Sequence, residues 1–166
     1  MSNATPTSIG QLTGKVAIIT GASRGVGAEL ARVYAREGAS VAVNYFQSPD
    51  KAKEVVDSIV KNGGQAIAVQ GDVTNKDDMV AMAARVVETY GGKIDILVNN
   101  ALASYKFDAT SPLTSIQTVN WENLDQQFQG TIRGAVNAVQ AVLPYMETNN
   151  YGKIVNIGTV CAKHFF

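Results

Sequence analysis

Lys15-Val16-Ala17-Ile18-Ile19-Thr20-Gly21-Ala22-Ser23-Arg24-Gly25-Val26-Gly27 decides the fold of this chain. Val16 to Ile19 are all apolar, without the polar alternation of a half-exposed strand. Such a run reads as a strand buried on both faces. A glycine-rich turn follows, and Ala28-Glu29-Leu30-Ala31-Arg32-Val33-Tyr34-Ala35 then has the spacing of an amphipathic helix. Strand, glycine turn and helix in this order present a helix N-terminus to a phosphate group. The glycines divide the work: a sharp turn, a close backbone approach to a pyrophosphate, and close packing of helix on strand. Taken alone, the loop also reads as a purely structural turn.

Working outward, the same alternation repeats. Strands are expected at Val16–Thr20, Val41–Tyr45, Ala66–Gln70, Ile94–Asn99 and Lys153–Ile157, and helices at Val26–Glu37, Pro49–Asn62, Lys76–Tyr90 and Trp121–Thr148. Short apolar strands that each lead into a helix predict an α/β fold, a doubly wound parallel sheet covered on both faces. Glu37-Gly38, Asn62-Gly63-Gly64 and Tyr90-Gly91-Gly92 supply glycines for the left-handed helix ends. Residues 1–11 read as a flexible tail and 12–166 as one domain, with Leu102 to Val119 the one long irregular stretch. In the last helix Phe128, Ile132, Val136, Val139, Val142 and Leu143 recur at helical spacing and read as a core stripe. A helix of that length also has the reach to contact a neighbouring subunit.

Composition limits the functions open to the chain. At 166 residues there is room for one core. Hydrophobic residues at 46% against charged residues at 17% indicate a globular chain. The formal net charge is zero, so no basic excess drives phosphate-backbone binding, and nucleic acid is not expected as the main partner. Cys161 is the single cysteine; an internal disulfide is impossible, and a reducing, cytoplasmic location is expected. His164, the single histidine, reads as solvent-exposed and builds neither a triad nor a metal site. No apolar run approaches the roughly 20 residues that span a bilayer, so no membrane partner is expected.

With the first strand, turn and helix placed, Thr20-Gly21-Ala22-Ser23-Arg24-Gly25-Val26-Gly27 resembles the TGxxxGxG motif of short-chain dehydrogenases/reductases. Gly71-Asp72-Val73-Thr74 is similar to that family's adenine-contacting Asp-Val pair, and Asn99-Asn100-Ala101 to its NNAG segment. Ala141-Val142-Leu143-Pro144 and Gly152-Lys153-Ile154-Val155-Asn156-Ile157 resemble the helix end and strand that follow. The resemblance runs from about Leu12 to Thr159 and is nearest to reductases of 3-oxoacyl carrier-protein type. It implies a Rossmann-type sheet of strand order 3-2-1-4-5. It also implies hydride transfer between a nicotinamide and a small-molecule ketone or secondary alcohol, and a homo-oligomer. The implied cofactor contacts are Gly21, Ser23, Arg24, Gly25, Val26, Gly27, Tyr45, Ser48, Asp72, Val73, Asn99 and Ala101. Asp72 alternatively reads as the N-cap or turn residue before the helix at Lys76. Asn99 and Asn100 alternatively satisfy backbone groups at the strand end.

Cofactor choice follows from charge. A carboxylate at the end of the second strand binds a ribose 2′-hydroxyl and repels a 2′-phosphate. Tyr45 holds that position, and no carboxylate comes before Asp50. Arg24 supplies a guanidinium and Ser48 a hydroxyl, so NADP(H) is expected over NAD(H).

The resemblance breaks at the proton donor. The family uses a Tyr with a Lys four residues on, and a Ser that polarises the substrate oxygen. Thr159 stands at the Ser position, and none of the six tyrosines is followed by a lysine four positions later. Thr131 stands at the family's helix Asn, and Leu102 where NNAG has its glycine. The chain therefore reads as a cofactor-binding portion without the family's later strands, with catalysis impaired. Its fifth strand is expected as an open, association-prone edge. The competing readings are a non-catalytic dinucleotide-binding or pairing module, and a methyltransferase on a similar sheet, against which Tyr45 speaks. No metal site is expected.

Overall fold

The computed structural model describes residues 10–102 and 121–158. Along the chain come β1 (Val16–Ile19), α1 (Gly25–Arg36), β2 (Ser40–Tyr45), α2 (Pro49–Lys61), β3 (Gln65–Gln70), α3 (Lys76–Thr89) and β4 (Ile96–Asn99). After the undescribed stretch follow α4 (Trp121–Phe128), a π-helical turn (Gln129–Arg133), α5 (Gly134–Thr148) and β5 (Lys153–Asn156). The strands are all parallel, in the order β3-β2-β1-β4-β5. This is the doubly wound sheet and the 3-2-1-4-5 order that the sequence implies.

The sheet has a packed layer on each face because successive side chains of β1, β2 and β4 point to opposite sides. Ile18, Ala42 and Leu97 pack with α3 and α5 through Met79, Met82, Val86, Ala138 and Val142. Ala17, Ile19, Val41, Val43 and Val98 pack with α1 and α2 through Ala28, Ala31, Val55 and Ile59. Both faces of β1 are buried, as its unbroken apolar run demands.

Four expectations need correction. Gly10 and Gln11, assigned to the tail, are held on the domain: the Gln11 amide donates to a Glu37 carboxylate oxygen at 3.2 Å, and the neighbouring Leu12 amide to the Glu37 carbonyl at 2.9 Å. β4 starts two residues late, at Ile96. Asp95 is buried before it, and its carboxylate accepts the Val16 amide at 2.8 Å, with Lys15 and Lys93 at 3.5 and 3.6 Å. The side chain therefore does at the base of the sheet what a ladder carbonyl would do.

The long helix is not continuous. Gly130 and Gly134 weaken it, and Thr131 Oγ1 donates back to the Gln127 carbonyl at 2.5 Å, so the turn widens to π between α4 and α5. Nor is the apolar stripe a core stripe. Phe128, Ile132, Val136 and Leu143 are exposed, and only Val142 of that set is fully buried. The face that packs inward carries Gly130, Gly134, Asn137, Ala138 and Ala141. Small residues let the helix approach closely: a Cβ on Gly134 would lie 2.7 Å from Val73 Cγ2.

Tyr90, at the end of α3, packs its ring on the α3/α5 side of the core, and its hydroxyl is buried with no partner among the described residues. Burial pushes its pKa from 10.0 up to about 12. The unfolded chain thus ionises first, and stability present below pH 10 is lost as pH rises towards 12. Tyr90→Phe removes the orphaned hydroxyl. Urea unfolding followed from pH 8 upward should show a shallower alkaline decline in the variant, with stability at neutral pH equal or higher.

Candidate functional site

Functional groups gather at the C-terminal ends of β1, β4 and β5, where the chain turns away from the sheet. Parallel α/β sheets bind ligands at this edge. The glycine-rich turn leaves β1 at Thr20 and enters α1 at Gly25. Gly21 has φ +62° and Gly25 φ +58°, conformations that L side chains rarely adopt. A Cβ on Gly21 would lie 2.9 Å from Ala101 Cα, and one on Gly27 would lie 2.5 Å from Asn100 Nδ2. Gly25 has open space beside it, so its requirement is conformational alone.

Arg24 is the N-cap of α1 and is exposed; its side chain makes no capping bond, and the first turn of α1 holds no acidic residue. The partial positive end of α1 is therefore neither capped nor neutralised by its own sequence. A dinucleotide pyrophosphate fits this cradle on charge, on hydrogen-bond donors and on steric clearance.

Asparagine and threonine side chains hold the turn in place. Thr20 is buried, and its Oγ1 accepts the amides of Asn100 at 3.0 Å and Ala101 at 3.1 Å while donating to the Val98 carbonyl at 3.3 Å. Asn100 Nδ2 donates to the carbonyls of Thr20 and Gly21 at 2.9 and 3.2 Å. On the other side, the Gly21 amide donates to Asn44 Oδ1 at 3.1 Å, and the Ala22 amide to the Asn44 carbonyl at 2.8 Å.

Beside the turn lies a cleft of about 300 Å³ lined by Thr20, Val73, Asn99, Ala101, Thr131, Asn156 and neighbouring residues. Asn99 and Asn156 face each other in register across β4 and β5, with Asn99 Nδ2 donating to Asn156 Oδ1 at 2.9 Å. Asn99 Oδ1 is buried and has no partner among the described residues. A larger hollow of about 510 Å³ between the end of α5 and β5 is lined by Leu143, Met146 and Tyr151. It lies away from the glycine turn and carries none of the expected site residues.

The expected residues are thus brought together in part. Val73, Asn99, Ala101 and Thr131 share the cleft, and Gly21 abuts Ala101. Asp72 is a turn residue and not the N-cap of α3: its Oδ1 accepts the Thr74 amide and hydroxyl at 2.9 and 2.8 Å, while Asn75 caps the helix. Tyr45 adjoins that turn, its carbonyl accepting the Gly71 amide at 2.9 Å. Ser48 is the N-cap residue of α2 without a side-chain capping bond. Ser23 is half-buried, and Val26 is exposed on the first turn of α1. Thr131 lines the cleft, but its proton is committed to the Gln127 carbonyl. Thr159 lies outside the described residues, as do Tyr105, Lys106, Cys161 and His164.

Sequence reasoning missed Asn44, Asn137 and Asn156. Asn137 is buried and donates to the Val73 carbonyl at 2.9 Å, fixing α5 on the cleft wall. The available signal was an asparagine inside an otherwise apolar stretch, which a packed interior accepts only when hydrogen-bonded.

A sequence profile described as short chain dehydrogenase matches residues 15–165, and this chain belongs to that family. The 3-oxoacyl-(acyl-carrier-protein) reductase of Staphylococcus epidermidis is 35% identical over 146 residues, covering 88% of this chain and 57% of the relative. A short chain dehydrogenase from Burkholderia cenocepacia, solved in complex with NADP, superposes with a TM-score of 0.76 at 33% identity over 93% of this chain and 59% of that one. A 7α-hydroxysteroid dehydrogenase complexed with NADH and 7-oxo glycochenodeoxycholic acid gives 0.75 at 35% identity over 93% and 57%. The chain spans 54–57% of the length of the curated relatives it matches.

Thr20→Val keeps the shape of the side chain and leaves the amides of Asn100 and Ala101 without their acceptor. A loss of about 1–3 kcal/mol is expected in urea unfolding, with Thr20→Ser restoring most of it. Among the described residues no group of histidine, cysteine and acidic side chains is placed to hold a metal ion. No helix among them is long and apolar enough to cross a membrane.

Proposed function

We propose that this chain is the dinucleotide-binding part of an NADP(H)-dependent oxidoreductase acting between a ketone and a secondary alcohol, of the 3-oxoacyl-reductase kind. The observation that carries the reading is the glycine turn. It offers an uncapped helix N-terminus with no acidic residue, positions where a Cβ would strike Ala101 or Asn100, and a cleft at the strand ends. The 3-oxoacyl relative and the NADP-bound neighbour support it, while the NADH-bound neighbour makes cofactor choice a matter of this chain's own residues.

In this reading the amides from Ser23 to Gly27 hold the pyrophosphate. Asp72 and Val73 flank the adenine, and Asn99 and Ala101 line the ribose side. Thr131 and Thr159 are the candidates near the reacting carbon, Thr159 to polarise a substrate oxygen. A bound nicotinamide supplies or takes up the hydride. No Tyr-x-x-x-Lys pair occurs in these 166 residues, so the chain by itself binds cofactor without efficient turnover.

Arg24 and the absence of a carboxylate at Tyr45 favour a 2′-phosphate. Titration of the chain with NADPH and NADH, followed by cofactor fluorescence, should give saturable binding with NADPH preferred. Arg24→Ala should weaken NADPH about tenfold and NADH less than about twofold. Tyr45→Asp should reverse the preference. Equal affinities in the unsubstituted chain, unmoved by Arg24→Ala, would remove the selectivity assignment.

A second reading, a non-catalytic module that pairs with a longer relative or with itself, is favoured by one observation. Phe128, Ile132, Val136 and Leu143 lie exposed along α4 and α5, and Ile154 and Val155 on β5 are 40% and 39% exposed. Sedimentation at tens of micromolar should show concentration-dependent association, weakened in Ile132→Lys. A single monomeric species throughout would exclude self-pairing through this face.

A further inference from the structure

The geometry points to Asn44 as a positioning residue that locks the glycine-rich turn and the Gly71–Asp72 turn into one preformed dinucleotide cradle. The inference rests on the nucleotide-site reading above and extends it to a residue that touches neither the pyrophosphate nor the adenine in that reading.

Asn44 sits in β2, flanked by Val43 and Tyr45, and is 1% exposed. The three hydrogen bonds of its side-chain amide all run sideways, into neighbouring strand ends. Oδ1 accepts the Gly21 amide at 3.1 Å. Nδ2 donates to the Gly71 carbonyl at 3.1 Å and to the Val69 carbonyl at 3.3 Å. Its main-chain carbonyl takes the Ala22 amide at 2.8 Å. One planar group therefore joins the end of β1 to the end of β3 across β2.

Only a side chain with an acceptor and two donors on one short stem can do this. Aspartate offers the acceptor alone, serine lacks the span, and valine would take away the partner that the Gly21 amide and the Val69 and Gly71 carbonyls share. Asn44 Nδ2 also sits at contact distance from Gly71, 3.4 Å from where a Cβ would lie, while Met79 Cε at 2.9 Å leaves no room for one. Both joined segments carry residues assigned above to the cofactor: Gly21, Ser23 and Arg24 on one, Asp72 and Val73 on the other. Their spacing is then fixed before the ligand arrives, and binding loses less free energy to ordering.

The test uses the 166-residue chain, Asn44→Ala, Asn44→Asp, and Val142→Ala as a core variant remote from the turn. Two quantities are read at a temperature where each protein is folded: the NADP+ dissociation constant, and amide hydrogen exchange without nucleotide. Asn44→Ala should raise the dissociation constant at least about tenfold. It should also speed exchange at Gly21 and at Gly71, Asp72 and Thr74, while Ile18 and Leu97 keep their protection. Asn44→Asp should separate the two halves, with Gly21 still protected and the Gly71–Thr74 turn exchanging faster. Val142→Ala should lose stability with an unchanged dissociation constant.

An unchanged NADP+ affinity in folded Asn44→Ala would overturn the inference. So would exchange that rises uniformly over the sheet, since Asn44 would then act through global stability. If Asn44→Ala does not fold, the asymmetric exchange pattern of Asn44→Asp decides. If the unsubstituted chain binds no NADP+, the nucleotide reading fails, while the exchange data still show separately whether Asn44 links the two turns.

Discussion

The strand ends of a parallel sheet must satisfy their last backbone groups while leaving the edge open for a ligand. Here Thr20, Asn44 and Asn100 meet that constraint together. Thr20 Oγ1 holds the chain leaving β4, Asn100 Nδ2 holds the chain leaving β1, and Asn44 holds the Gly21 amide from the side of β2. Each of these polar groups is engaged with backbone, so the turn is fixed without drawing on the amides at the start of α1. Arg24 makes no side-chain cap at that end of α1, and such a helix end favours an anion. A well-placed glycine turn with loose supports would not be a preformed site.

The same logic explains the opposite end of the sheet and the wall of the cleft. Asp95 ties the beginnings of β1, β4 and β5 at one point: its carboxylate takes the Val16 amide, its own amide donates to the Val16 carbonyl, and its carbonyl takes the Lys153 amide. The cleft wall comes from α5, which approaches Val73 closely because Gly134 has no side chain and Asn137 bonds the Val73 carbonyl. The π-helical turn ahead of it points Phe128 and Ile132 outward and brings Thr131 to the cleft. Packing geometry thus turns a stretch that looks like an ordinary apolar helix into a cleft wall on one side and an exposed apolar surface on the other.

Much of this was legible beforehand where a local rule and the global fold agree. Val16–Ile19, Val41–Val43 and Ile96–Val98 are apolar without alternation, and each is buried in the sheet. The glycine turn was legible because Gly21 and Gly25 need left-handed backbone and Gly27 needs clearance, requirements that few other residues meet. Legibility failed where one residue type has two uses. The period of Phe128, Ile132 and Val136 marks a helix correctly, but which face turns inward depends on whether a partner surface fits large or small side chains. Asp72 read equally as helix cap or turn residue; it is the turn residue, and Asn75, next to the first free amides, is the cap.

The sequence by itself determined the alternation of strands and helices, the parallel sheet and the place of the glycine-rich turn, because these follow from periodicity and from the steric limits on glycine. The tertiary structure alone decided which buried asparagines are structural supports, which face of α4 and α5 is covered, and which residues share the cleft. Those outcomes depend on hydrogen bonds and contacts between residues far apart in sequence, such as Gly21 with Asn44, 23 positions apart, and Thr20 with Asn100, 80 positions apart. No local pattern encodes such distances; they are set when the strands take their order in the sheet.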